Sequence, residues 1–110
     1  MCVQLNGQKS FLVYNSYSIL ILYQKYGYPK SINCYTMIAL SYEALGSNQE
    51  AIPYRQKLSV LDPYGAGNLL NLEKDFLAVG DKDFARKTRD SIVAMAPGTE
   101  IAKQAQKLLS

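Results

Sequence analysis

The segment Tyr35 to Pro63, YTMIALSYEALGSNQEAIPYRQKLSVLDP, recurs 34 residues later as Leu69 to Pro97, LLNLEKDFLAVGDKDFARKTRDSIVAMAP. Gly46 falls on Gly80, Ala51 on Ala85, Arg55 on Arg89 and Pro63 on Pro97. Apolar positions follow the same register, Tyr35 with Leu69, Ile38 with Leu72, Tyr42 with Phe76 and Leu58 with Ile92. An internal period of this length leaves few folds open. Each unit is one helix–turn–helix, too small to bury its own apolar face, and it must stack on copies of itself.

The chain divides accordingly into helices. Residues 1–10 show no periodicity and read as a ragged lead-in. From Phe11 to Tyr26 apolar residues lie nearly all round a helix, with Leu12, Ile19, Tyr23 and Tyr26 on one face and Tyr14, Tyr17, Ile21 and Leu22 on another. Gly27 and Pro29 end it. Two registers describe this segment. Asn15 to Gly27 echoes Asn33 to Gly46 with one deletion, whereas aligning Pro29, Pro63 and Pro97 makes it the second helix of a degenerate upstream repeat; the proline register alternates helices more cleanly. Ser31 is expected to cap a helix running to about Leu45, closed by Gly46. Ser47 and Glu50 have the spacing of a capping box, and a second helix follows to about Leu61. Pro53 bends that helix unless it lies in the first turn. The next pair is expected from about Gly67 to Val79 and, capped by Asp81, from Lys82 to Met95. Thr99 caps a last helix, Glu100 to Leu109, with Ile101, Ala105, Leu108 and Leu109 on its apolar side. The reading is a single domain over residues 11–110, with repeats at about 32–65 and 66–99 and a closing helix at 100–109.

Composition narrows the function classes. The net charge is +3, and residues 69–110 hold seven Lys/Arg against six Asp/Glu, so no basic stripe offers itself to nucleic-acid phosphates. There is no histidine and there are two cysteines, Cys2 and Cys34, which excludes a Cys/His metal site and a histidine base. The two are expected as free thiols in a reducing compartment, with a disulfide between them as the alternative. No secretory signal is evident in residues 1–10. The apolar run Phe11 to Tyr23 spans 13 residues, short of the roughly 20 that cross a bilayer.

The positions have physical reasons. Ala51 and Ala85 sit where two helices cross, and a larger side chain would part them. Tyr35, Ile38 and Tyr42 form one stripe of a first helix, and Leu69, Leu72 and Phe76 the equivalent stripe. Together these residues resemble the tetratricopeptide repeat, with two repeats over residues 32–98. The fold class expected is all-α, a solenoid of stacked antiparallel helix hairpins with a flanking N-terminal helix and a C-terminal capping helix. Two departures stand out. Glu73 occupies the place of the small Ala39, where it either loosens the crossing or carries its carboxylate out to water. Arg55 and Arg89 replace an aromatic, and are expected to pack their stems between repeats with their heads in water.

The resemblance implies a binding scaffold without cofactor, metal or catalytic residue. Such repeats take peptides, helices or neighbouring domains in a groove lined by the first helix of each pair. Carried over, that groove comprises Asn33, Thr36, Met37, Leu40 and Glu43, then Leu70, Asn71, Lys74 and Leu77, and finally Gln104. Of the clamp that chaperone-tail binders of the family use, only Asn71 matches, with Thr36 and Leu40 replacing the first Lys and Asn. The mixed, mildly apolar groove suits a helix or neighbouring domain better than an acidic tail. A weaker resemblance is to repeat-bearing tails of bacterial O-antigen ligase or polymerase-like membrane proteins; otherwise a cytoplasmic location is expected. A third reading is self-association through the apolar first helix. An enzyme is disfavoured: Asp81 with Asp83, and Glu73 with Asp75, are carboxylates at alternate positions, which do not face one another, and Cys34 has no histidine to activate it.

Overall fold

The computed structural model describes residues 32–110. They form five α-helices and no strand: α1 (Ile32–Ala44), α2 (Asn48–Leu61), α3 (Ala66–Ala78), α4 (Lys82–Met95) and α5 (Glu100–Leu108). The expected boundaries agree to within one residue. The lead-in, the helix expected over 11–26 and the Ser31 cap lie outside the described residues. Among the described residues no helix is long and apolar enough to cross a membrane.

Corresponding elements match in size. Helices α1 and α3 have 13 residues each, and α2 and α4 have 14 each. The turns between them are built by the same hydrogen bonds. After α1 the Ser47 amide donates to the Tyr42 carbonyl at 2.8 Å and the Gly46 amide to Glu43 at 3.0 Å. After α3 the Asp81 amide donates to Phe76 at 2.9 Å and the Gly80 amide to Leu77 at 3.1 Å. This pair of hydrogen bonds closes a helix through one left-handed residue, and Gly46 and Gly80 take that role with φ of 79° and 84°. The links are short, residues 45–47 and 79–81, and α1 packs along α2 as α3 packs along α4. Each pair is thus two packed helices joined by a short link.

The helix starts differ more than expected. Asp81 accepts the Phe84 amide at 3.2 Å and Thr99 the Ala102 amide at 3.3 Å, so both caps form. The Ser47/Glu50 capping box does not: the Ser47 hydroxyl makes no cap bond. A capping box needs the cap residue's own amide as donor to the glutamate, and the Ser47 amide is already spent on Tyr42. Pro53 falls at the sixth residue of α2, beyond the first turn, and the helix continues through it. The carbonyl of Gln49 loses its donor there, but both residues are exposed and water can replace it.

Three apolar clusters fill the molecule in chain order. Tyr35, Ile38 and Leu58 join α1 to α2, with Tyr42, Leu45 and Tyr54 packed against them. Ile52, Leu72, Phe76 and Ala85 join α2, α3 and α4. Leu70, Ile92, Ala102 and Ala105 bring α5 onto α3 and α4. Ala39, Ala51 and Ala85 are wholly buried, as close-crossing positions require. Ile92 is wholly buried as well, and burial of such a side chain contributes about 1.5–3 kcal/mol. Of the two alternatives for Glu73, at the register position of Ala39, the one in which its carboxylate reaches water is ruled out: it is 0% exposed. It lies in the second turn from the end of α3, and both carboxylate oxygens are buried without a hydrogen-bond partner.

Candidate functional site

The ten groove positions separate into an open part and a closed part. On α1, Met37 and Leu40 are 43% and 48% exposed, Asn33 is exposed, and Thr36 and Glu43 are half-buried. The Thr36 hydroxyl donates to the Ile32 carbonyl at 2.7 Å. On α3, Lys74 is exposed and Asn71 half-buried. Leu70 is only 8% exposed, held under Ile92, Ala102 and Ala105, and Leu77 packs toward Phe76 and Leu109. Gln104 on α5 is exposed.

Two depressions show which positions adjoin. One of about 280 Å³ is bordered by Ile32 and Thr36 from α1, Arg55 from α2, and Asn68 and Asn71 from α3. The other, of about 290 Å³, lies between Lys74 of α3 and Gln104, Lys107 and Leu108 of α5. Thr36 and Asn71 therefore border one depression, and Lys74 and Gln104 the other. Leu70 is a core residue whose side chain faces α4 and α5, so it holds the groove wall without being offered by it.

Below this surface lies a polar junction that ties the two helix pairs. Arg55, 2% exposed, donates from Nε to Glu43 Oε2 at 2.9 Å and from Nη2 to Glu43 Oε1 at 2.7 Å. Its Nη1 donates to Asn68 Oδ1 at 3.1 Å, and the Asn68 amide group returns a bond to the Arg55 carbonyl at 2.9 Å. Asn48, at the start of α2, donates to Asp75 Oδ1 on α3 at 2.8 Å. Burial works to raise the Glu43 pKa, but the Arg55 hydrogen bonds, helped by Asp75, outweigh it and hold the carboxyl below its ordinary value. Asp75 moves the other way: burial first, then its hydrogen bond with Glu43, push it up to about 7, against the opposing bond from Asn48. With both acids ionised Asp75 Oδ2 has no donor. Once protonated it becomes the donor and Glu43 the acceptor. This is the usual outcome when two carboxyls share one site.

The arginine pair behaves differently from the expectation. Arg55 does not place its head in water; its guanidinium is buried in a bidentate pair, the geometry a planar fork favours. Arg89, one repeat later, is 28% exposed at the side chain and pairs with its neighbour Asp90 at 2.9 Å. The reason is the residue facing it. The register places Leu77 where Glu43 stands, so Arg89 lacks a carboxylate at that position, and the buried Glu73 feels its charge without bonding to it.

Glu43 is a groove position by register, yet its carboxylate belongs to this junction. Asn48, Asn68 and Asp75, which complete it, carry no functional expectation in the sequence. One signal points to them: Arg55 shares a helical stripe with Ala51 and Leu58, both core positions, and a cation there needs acids and acceptors. The remaining acid pairs are spread apart. Asp81 caps α4, and Asp83 pairs at the surface with Arg86 at 3.0 Å. Among the described residues no three His, Cys, Asp or Glu side chains converge as metal ligands would. Cys34 is half-buried on α1.

In comparisons with known proteins, no family model, curated protein or solved structure matches this chain.

Proposed function

We propose that the chain is a tetratricopeptide-like scaffold, without catalytic activity, that holds an amphipathic helix or a neighbouring domain against α1 and α3. The repeat reading is supported by the 34-residue register and by turns whose hydrogen bonds coincide in that register. The observation that carries the binding reading is the open face of α1. Met37 and Leu40 are both more than two-fifths exposed on the helix that also carries the polar Asn33 and Thr36. Apolar anchors three apart, bordered by hydrogen-bonding groups, are what a helix laid in a groove uses. Most of the binding energy would come from those anchors.

The test is selection from a library of displayed amphipathic helices on the whole chain, followed by affinity measurements on Met37→Ser, Leu40→Ser and the pair. Leu70 is left alone, because it supports the core. Loss of affinity of at least tenfold in the double variant, with unfolding unchanged, supports the groove. Equal affinity sinks it.

A further inference from the structure

The repeat register shows where α3 departs from α1. Ala39 and Ser41 occupy two buried positions of α1, at 0% and 3% exposure; Glu73 and Asp75 occupy the same two positions of α3, at 0% and 2%. Two acids thus stand where small residues suffice. Neither has enough partners. Both Glu73 oxygens and Asp75 Oδ2 are without a hydrogen-bond donor, and an ionised carboxylate in that state is among the costliest groups to bury.

Among the described residues the cations around them do not balance the charge. Asp75 faces Glu43 from α1 and Asn48 and Arg55 from α2, and Arg55 is already bidentate with Glu43. Glu73 feels Arg89 from α4 and Lys74 from α3 at a distance that makes no bond. Arg89 is engaged with Asp90, and Lys74 is exposed. From α5 come only Lys103 and Lys107, both exposed. Neutrality inside therefore requires two protons.

We propose that α3 is a two-proton switch: with Glu73 neutral and one proton shared between Asp75 and Glu43 the helix is locked against α2 and α4, and loss of both protons loosens it. Burial pushes Glu73 up to about 7, only partly opposed by Arg89 and Lys74, and Asp75 reaches the same range. The sign follows. Both groups bind protons more tightly folded than unfolded, so the stability they give is complete below their ordinary values of 4.5 and 3.8 and is lost as pH rises through about 7. Glu43 works oppositely, its contribution being complete once the unfolded acid is ionised, so a titration begun at about pH 5.5 leaves it out. The switch stands whether or not the groove takes a partner.

The experiment is urea unfolding of the whole chain between about pH 5.5 and pH 8, on the wild type, Glu73→Gln, Asp75→Asn and the double variant. Each group makes the unfolding constant rise about tenfold per pH unit until about pH 7, where the rise ends. The wild type should show both contributions, each single variant one, and the double variant none. A wild type that is flat or gains stability over this range overturns the switch, as does a double variant that keeps the wild-type slope. Should a variant fail to fold, carboxyl carbon NMR of the wild type decides alone. Midpoints near 7 for Glu73 and Asp75 support the switch, and midpoints below about 5, the range of ordinary carboxylates, overturn it.

Discussion

Arg55 and Arg89 occupy equivalent positions, so replacing each by Met isolates what the surroundings do to one side chain. In Arg55→Met three hydrogen bonds disappear, two to Glu43 and one to Asn68. Glu43, whose side chain is 17% exposed, then keeps its charge beside Asp75 with no cation bonded to it. Breaking a buried pair from one side costs about 3–5 kcal/mol, a large share of the roughly 5–15 kcal/mol that holds a domain together. With a urea dependence of about 1.5 kcal/mol per molar, the midpoint falls by about 2–3 M. The loss should be larger at high pH, because protonation of the orphaned acids relieves it. Arg89→Met removes an ion pair whose acid, Asp90, is 70% exposed, and such pairs are worth about 0–1 kcal/mol. The second repeat suggests the repair: Leu77 stands where Glu43 does. Glu43→Leu added to Arg55→Met should recover at least about 2 kcal/mol, since a buried pair replaced by apolar groups is often neutral. Equal midpoint shifts for Arg55→Met and Arg89→Met would refute the reasoning, and so would additive losses in the double variant.

Three further outcomes concern the turns and caps. Gly80→Ala should cost about 1–2 kcal/mol by urea unfolding, because φ is 84° while an added Cβ meets nothing within 4 Å, so the cost is conformational alone. Gly46→Ala should match it within error, as an equivalent turn demands. Thr99→Ala and Asp81→Ala should each lower stability by about 1 kcal/mol, and Ser47→Ala by less than about 0.5, since only the first two side chains cap a helix.

The helices and their order are legible in the residues, because apolar stripes, glycine turns and caps act locally and agree. Gly46 and Gly80 mark their turns correctly, and Ala51 and Ala85 mark close crossings. What the chain does not display is competition for a donor. The Ser47 hydroxyl and the Glu50 carboxylate have the right spacing for a capping box, yet the Ser47 amide is drawn to Tyr42. Of the positions assigned to the groove, Met37 and Leu40 are exposed, while Leu70 is buried because α5 folds over it, a contact between residues far apart in the chain. Arg55 and Arg89 look alike in sequence and diverge in structure through the residue opposite each, Glu43 or Leu77. Spacing along one helix cannot reveal that.

The central claim is that the α1–α3 face receives a partner helix. Amide chemical shifts of the labelled whole chain, followed as a selected helical peptide is added, test it most directly. The account predicts that the largest changes fall on Thr36, Met37, Leu40, Asn71 and Lys74. Changes centred instead on Val60 and Tyr64, at 78% and 83% the most exposed large apolar side chains of the described residues, would contradict it.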